Sequence, residues 1–216
     1  MIKAVIFDLD GTIADTLPLC IAAFKKSIEP LLEKTISEEE IVATFGPSEE
    51  GTIRRLIPMQ EEVGVASYLK HYEALHYTCP APFSGIRELL SMLKEKGVPL
   101  AMVTGKGIHS TRLSLAQFGL AVFFEVLETG SPEGPNKTAG IRSVLKRLGV
   151  TAAESLYVGD AVSDIRYCKE IGIPIVAAAW AGTADEKALR AMEPEQLFGS
   201  VGAFRQWIED KVIGRP

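Results

Sequence analysis

The sequence has little cysteine, and its cysteines lie far apart. Cys20, Cys79 and Cys168 form no CxxC pair in a chain of 216 residues. We therefore expect neither a cysteine metal cluster nor a disulfide framework. Three reduced thiols are typical of a cytoplasmic protein, and the cytoplasm is the location that we predict.

Long apolar runs and clusters of basic residues are also missing. No stretch approaches the roughly 18 apolar residues of a membrane span, and an acidic residue at position 8 interrupts the apolar N-terminal segment. That segment therefore reads as a strand rather than a signal peptide. The formal net charge is −5, without a run of Lys or Arg. We expect no membrane partner and no nucleic-acid partner.

Short β-prone segments alternate with helical patterns over most of the chain. The predicted strands cover residues 3–7, 98–103, 123–127, 155–158 and 173–178. Stripes of apolar residues at helical spacing separate the later four. This alternation predicts an α/β fold, a parallel sheet with helices on both faces.

One block of the sequence departs from this alternation and contains only helical patterns. Apolar residues recur at helical spacing from position 17, and Pro30 should kink or shorten that helix. Further helices are predicted at 38–45, 49–56 and 61–77, and a proline-rich joint follows at 79–82. We therefore predict a Rossmann-like core of residues 1–14 and 81–216, with an all-helical cap inserted at 15–80.

Polar residues follow the predicted strands, where parallel sheets bind their ligands. In chain order they are Asp8, Asp10, Thr104, Gly105, Lys106, Lys137, Asp160 and Asp164. Two carboxylates about 4 Å apart repel by roughly 4 kcal/mol at an effective dielectric of 20. Several of them facing an anionic substrate would require a divalent cation, and oxygen ligands suit Mg²⁺ best.

The remaining residues at these strand ends fit phosphate chemistry. Thr104 and the backbone N–H groups that follow it can hold phosphate oxygens, and Lys137 adds a positive charge. Phosphoryl transfer requires mainly positioning and charge neutralisation. An aspartate can also serve as the nucleophile in such a reaction.

These residues resemble the motifs of the haloacid dehalogenase-like hydrolases, in the phosphoglycolate-phosphatase-like branch with a helical cap. The first motif is Asp8-Leu9-Asp10-Gly11-Thr12, and the second is Val103-Thr104-Gly105-Lys106. Lys137 stands for the third motif, and Gly159-Asp160 with Asp164 for the fourth. The order of all four matches the family, although Lys137 is followed by Thr138 and not by the usual proline.

The resemblance implies a role for each residue. Asp8 is expected to be the nucleophile and a metal ligand, and Asp10 the general acid and base, with its backbone carbonyl also touching the metal. Asp160 is expected to bind Mg²⁺, with Asp164 as a direct or water-mediated ligand. Thr104, Gly105 and Lys137 are expected to hold the phosphoryl group.

Two positions in the predicted cap are candidates for facing the substrate. Gly46 lies in the loop between two predicted helices, and Arg54 can reach a substrate carboxylate or second phosphate. The plainer interpretation of Arg54, and of Arg55 beside it, is a solvated helix face.

The predicted reaction is hydrolysis of a small phosphate monoester through an aspartyl-phosphate on Asp8. The substrate remains open among phosphoglycolate, a nucleotide, pyrophosphate and a sugar phosphate. A phosphomutase with the same core motifs is one alternative, and a non-catalytic binding or regulatory relative is another. A dehalogenase is disfavoured, because it would need neither Asp10 nor the phosphate-binding residues.

Overall fold

Six strands form one parallel sheet in the computed structural model, which describes residues 2–212. They are β1 (Ala4–Phe7), β2 (Leu100–Val103), β3 (Val126–Glu128), β4 (Ser155–Gly159), β5 (Ile175–Ala178) and β6 (Gln196–Phe198). Their order across the sheet is β3-β2-β1-β4-β5-β6. This order places a topological switch point between β1 and β4, where doubly wound folds bind their ligands. The predicted Rossmann-like α/β class is confirmed.

Helices connect the strands and cover the sheet. They are α1 (Leu17–Leu32), α2 (Glu38–Val42), α3 (Glu49–Leu56), α4 (Glu61–Leu75), α5 (Ile86–Glu95), α6 (Ile108–Gln117), α7 (Lys137–Leu148), α8 (Val162–Ile171), α9 (Glu186–Ala191) and α10 (Val201–Glu209). Within residues 2–212, none of the helices combines the length and apolar character needed to cross a membrane.

Alternate residues of the strands build a hydrophobic core on each face of the sheet. In β1, Val5 and Phe7 pack with apolar residues of α5 and α10, whereas Ala4 and Ile6 pack with residues of α7 and α8. Successive side chains of a strand point to opposite faces, so a strand covered on both sides is apolar throughout. All four residues of β1 are accordingly buried.

The helices α1 to α4 follow one another between β1 and α5, and we call them the helical segment. Helices α1 and α4 pack against each other through aromatic rings, with the centroids of Phe24 and Tyr68 4.5 Å apart. Helix α1 continues past Pro30 to Leu32 and ends at Glu33, which has a φ of 54°. The helix tolerates Pro30, which removes a single hydrogen bond near the helix end, where little helix remains to be disrupted.

Several elements differ from the sequence prediction. A 3₁₀ turn occupies Ala121–Phe123, so that β3 begins later than the strand predicted at 123–127. Helix α2 ends at Val42, because the N–H groups of Thr44 and Phe45 donate to carbonyls only three residues back, those of Ile41 and Val42. The sequence prediction did not include α9, β6 or α10. The short edge strand β6 is only partly buried, and it therefore lacks the continuous apolar run that reveals a central strand.

Candidate active site

The loop after β1 presents the first two carboxylates. Asp8 continues the sheet, because its N–H donates to the carbonyl of Val158 in β4. Its Oδ1 accepts a hydrogen bond from the N–H of Leu9 at 2.7 Å. The Oδ1 of Asp10 accepts a hydrogen bond from the hydroxyl of Thr16. Backbone pairing therefore fixes Asp8 at the carboxyl end of β1, and Thr16, the N-cap residue of α1, orients Asp10.

The same loop also contacts the carboxylate of Asp160, the residue directly after β4. The hydroxyl of Thr12 donates to Oδ1 of Asp160 at 3.1 Å. Gly11 has a φ of +74°, and a Cβ atom at this position would lie 2.1 Å from Oδ2 of Asp160. Glycine is therefore required here both for the left-handed backbone and for the space that Asp160 occupies.

Three carboxylates cluster between β1 and β4, and a lysine pairs with two of them. Oxygen atoms of Asp8, Asp160 and Asp164 lie within 4.8 Å of one another. Nζ of Lys137, the first residue of α7, is 2.5 Å from Oδ2 of Asp8 and 2.6 Å from Oδ1 of Asp164. One ammonium group thus pairs with two of three clustered carboxylates in a largely buried site.

The electrostatics of this cluster favour an additional cation. Burial raises the pKa of Asp8 to about 6, although the positive charge of Lys137 opposes the increase. Burial, and then the charge of Asp8, raise the pKa of Asp160 well above its ordinary value. A divalent cation would relieve both the desolvation and the repulsion, and these oxygen donors suit a hard ion such as Mg²⁺. The residues present therefore fit the predicted metal.

The second motif lies at the end of β2, beside this cluster. Thr104 is buried, and its Oγ1 accepts a hydrogen bond from the N–H of Lys106 at 3.2 Å. The carbonyl of Gly105 lies against Gly130, where a Cβ atom would approach the Gly105 oxygen to 1.9 Å. Gly130 thus lets the loop after β3 pack closely on the Thr104 turn.

Lys106 forms a buried contact that the sequence did not reveal. Its side chain is 1% exposed, and Nζ lies 3.4 Å from Oδ1 of Asp10 and 3.3 Å from Oε1 of Glu49. The same nitrogen is 3.0 Å from Sγ of Cys20 and lies over the ring of Tyr72. Burial alone would lower the pKa of Lys106, but nearby anionic groups, above all Asp10, raise it well above its ordinary value.

Glu49, in the first turn of α3, joins the helical segment to the core through its contact with Lys106. Its carboxylate accepts hydrogen bonds from the N–H of Gly107, the hydroxyl of Ser110 and, at 3.4 Å, the hydroxyl of Tyr68. Acidic residues are common in the first turn of a helix. The sequence therefore contained no signal that separates Glu49 from a solvated side chain.

A cavity of about 330 Å³ lies between the helical segment and the carboxyl ends of the strands. The predicted residues that line it are Asp8, Asp10, Gly46, Thr104, Gly105, Lys137 and Asp160. Lining residues from the helical segment that were not predicted include Leu17, Phe24, Glu49 and Tyr68. Asp164 lies behind Lys137, which it contacts directly.

Arg54, which was predicted to face the substrate, is paired with glutamates outside the cavity lining. Its guanidinium forms ion pairs with Glu61, at 2.9 Å, and with Glu133, at 3.2 Å, and its side chain is 42% exposed. Neither Arg54 nor Arg55 belongs to the described residues that line the cavity. Arg55 donates instead to the carbonyl of Thr44.

Comparison with known proteins identifies the family. The sequence model of the haloacid dehalogenase-like hydrolases matches residues 5–178. A pyrophosphatase, PpaX, of Halalkalibacterium halodurans is 30% identical over 203 residues, which cover 93% of this chain and 94% of that protein. A phosphoglycolate phosphatase of Neisseria meningitidis is 28% identical over 214 residues, covering 93% and 91%.

Solved structures show the same fold. The CbbY protein of Rhodobacter sphaeroides, solved in complex with phosphate, superposes with a TM-score of 0.78 at 21% identity. The match covers 93% of this chain and 95% of that one. The chain therefore belongs to the haloacid dehalogenase-like hydrolase family, in its phosphoglycolate-phosphatase-like branch, and it is a phosphatase.

Proposed function

We propose that the protein is a Mg²⁺-dependent phosphatase that hydrolyses a small phosphate monoester through an aspartyl-phosphate on Asp8. The observation that carries this proposal is the cluster of Asp8, Asp160 and Asp164 carboxylates, two of them paired with Lys137, at the edge of a cavity. This set of charges suits a site that receives both a cation and a phosphate group.

The metal would be held by the carboxylates of Asp8, Asp160 and Asp164, together with the backbone carbonyl of Asp10. When bound, Mg²⁺ supplies charge neutralisation for the carboxylates and for the phosphoryl oxygens.

Asp8 supplies the nucleophile. A carboxylate oxygen of Asp8 forms a bond to phosphorus while the bond from phosphorus to the ester oxygen breaks. The hydrogen bonds from Leu9 and Lys137 hold the carboxylate in place for this attack. They also favour its ionised form, which is the reactive one.

Asp10 transfers the protons in both halves of the reaction. It first donates a proton to the departing ester oxygen, and it then takes one from the water that attacks the aspartyl-phosphate. That attack breaks the bond between phosphorus and Asp8, releases inorganic phosphate and restores the enzyme. Contacts with Thr16 and Lys106 orient the Asp10 carboxylate, and its side chain is 29% exposed, so water can reach it.

Thr104, Gly105 and Lys137 hold the phosphoryl group during these steps. The Thr104 hydroxyl already accepts a bond from Lys106, which leaves its own proton available for a phosphoryl oxygen. The ammonium of Lys137 compensates negative charge beside Asp8.

The helical segment is proposed to act as a cap. We assign residues 15–80 to it and residues 1–14 and 81–216 to the catalytic core, and we propose that Gly46 faces the substrate. Gly46 and its neighbours Phe45 and Pro47 line the cavity, which supports this assignment. Closure of such a cap excludes bulk water before attack.

Variants of Asp8 and Asp10 test the mechanism because they should fail differently. In Asp10→Asn, an aryl phosphate can still phosphorylate Asp8, since a good leaving group requires little protonation. Hydrolysis of the intermediate then lacks a base, and general acid–base help is typically worth about 10²–10⁴-fold per step. Rapid-quench mass spectrometry should detect a phosphate adduct on the Asp8 peptide of Asp10→Asn and none in Asp8→Asn.

Two results would contradict the proposal. One is an adduct on another residue, and the other is normal turnover by a folded Asp8→Asn protein. Return of the phosphoryl group to a second position of the substrate, in place of phosphate release, would identify a phosphomutase. A folded parent protein that turns over no phosphate ester would instead be a binding or regulatory relative.

A further inference from the structure

We infer that this phosphatase acts on monoesters whose leaving alcohol carries no second anionic group. This inference rests on the function proposed above and narrows its substrate class. The inference excludes pyrophosphate and phosphoglycolate, the compounds in the names of two relatives, as good substrates of this protein. Each of these compounds carries a second anionic group in addition to the transferred phosphoryl group.

The first argument is the supply of positive charge. Among the described residues that line the cavity, the cationic side chains are Lys106 and Lys137. Lys137 contacts Asp8 and Asp164 and faces the transferred phosphoryl group. A second anion on the substrate would therefore depend on Lys106.

Lys106 is already neutralised by the protein. Its ammonium is within 3.4 Å of Asp10 and 3.3 Å of Glu49, so that two carboxylates share one positive charge. Burial raises the pKa of the Cys20 thiol to about 12, and this third partner therefore stays uncharged. Even when Asp10 holds the proton that it donates, Glu49 balances the charge of Lys106, so this end of the cavity offers no free positive charge to a second anion.

Glu49 is also fixed in place. It accepts hydrogen bonds from Gly107, Ser110 and Tyr68, and the first of these is the N-cap residue of α6. The amino terminus of a helix is otherwise a favourable place for a substrate anion. Displacing Glu49 would leave these donors unsatisfied in a buried site, which is costly.

The arginines of the helical segment do not supply a free positive charge either. Arg54 is paired with Glu61 and Glu133, and Arg55 with the carbonyl of Thr44, and neither lines the cavity among the described residues. Leu17, Phe24, Phe45 and Tyr68 supply apolar and aromatic surface to the wall. An uncharged leaving group, apolar or hydroxylated, fits this environment.

A matched pair of substrates tests the inference on the full-length protein with Mg²⁺. 2-Hydroxyethyl phosphate and phosphoglycolate have backbones of the same length and differ by a hydroxymethyl group against a carboxylate. We expect kcat/KM to be at least about 10-fold higher for 2-hydroxyethyl phosphate, because the cavity offers no free positive charge to the carboxylate of the second substrate. Pyrophosphate should also be a poor substrate, and phenyl phosphate serves as the reference for basic phosphatase activity.

A variant links this preference to one residue. Glu49→Gln keeps one acceptor oxygen, which can serve either Gly107 or the hydroxyls of Ser110 and Tyr68, and it removes the charge that balances Lys106. It should therefore raise kcat/KM for phosphoglycolate relative to 2-hydroxyethyl phosphate. The control is Glu62→Gln, which removes the same charge from an exposed position on α4 and should leave the ratio unchanged.

The outcomes distinguish the two levels of the proposal. Phosphoglycolate or pyrophosphate as the better substrate would overturn this inference and leave the proposed phosphatase intact. Absence of turnover with every ester, phenyl phosphate included, would overturn the proposed function and the inference with it. If Glu49→Gln does not fold, the comparison of substrates with the parent protein still decides the question.

Discussion

Gly11 shows at the scale of one residue how closely the site is packed. Its backbone is left-handed, and the carboxylate of Asp160 occupies the space where a side chain would begin. A left-handed conformation costs a non-glycine residue roughly 1–2 kcal/mol. The larger consequence is for catalysis, because any Cβ atom at Gly11 must displace a proposed metal ligand.

We expect Gly11→Ala to lower kcat by at least about 100-fold, since a shift of about 1 Å in a catalytic group can cost that much. Gly182→Ala is the matched control, because no heavy atom lies within 4 Å of a Cβ at Gly182 and its φ is not left-handed. Steady-state kinetics with an aryl phosphate makes the comparison. Equal activity of the two variants would show that Asp160 does not need its present position.

At the scale of elements, the contact between α3 and α6 joins the helical segment to the core. It depends on Glu49, whose side chain is 10% exposed, and on Lys106, which is more deeply buried. Removing Glu49 would leave Asp10 as the remaining carboxylate beside Lys106, but it would leave the buried N–H of Gly107 without its acceptor, and an unsatisfied buried donor costs about 1–3 kcal/mol. Sequence patterns indicated both helices but not this contact between them.

We therefore expect Glu49→Ala to lower the free energy of unfolding by about 1–3 kcal/mol. The backbone N–H of Gly107 loses its acceptor in this variant and should exchange with solvent faster. Hydrogen-exchange mass spectrometry of the peptide that contains Gly107 measures the effect. Glu62→Ala is the control and should leave the exchange of this peptide unchanged. An unchanged exchange rate in Glu49→Ala would show that the contact with Glu49 does not hold Gly107 in place.

The whole molecule should respond to Mg²⁺ through its stability. A ligand that binds only the folded state at about 100 times its Kd stabilises the protein by about 2.7 kcal/mol. For a chain of this size, that corresponds to a rise in Tm of about 5–10 °C. Asp160→Asn should abolish the rise, whereas Asp210→Asn, at an exposed position, should retain it. A full rise in Asp160→Asn would place the metal elsewhere.

The effect of Mg²⁺ on stability should also depend on pH. In the metal-free protein the pKa of Asp8 is about 6, against an ordinary value of 3.8. Because the folded state holds this proton more tightly, its stability decreases as the pH rises between these two values. Mg²⁺ must displace the proton of Asp8 in order to bind, so the affinity for Mg²⁺ increases over the same pH range.

We accordingly expect a larger Mg²⁺-induced rise in Tm at about pH 7 than at about pH 5. Differential scanning fluorimetry at both pH values, with and without Mg²⁺, measures it. A rise that is independent of pH would argue against displacement of a proton from Asp8.

The sequence by itself determined the α/β class and the polar residues that meet at the sheet edge. Strands β1, β2, β4 and β5 are short, almost wholly apolar and buried, and such runs are visible without a structure. Asp8 and Asp160 follow two of these strands directly. Since parallel strands end at one edge, the sequence placed both carboxylates at that edge, whereas their direct proximity depends on the pairing of β1 with β4.

Only the tertiary structure decided what surrounds these carboxylates. Glu49 and Lys106 are separated by 57 positions and meet through the packing of the helical segment on the core, and no local pattern encodes that approach. Arg54 likewise lies in a helix that was predicted, but its pairing with Glu133 depends on a distant loop. Secondary structure follows from local spacing, whereas the charge lining a cavity depends on which distant side chains the fold buries together.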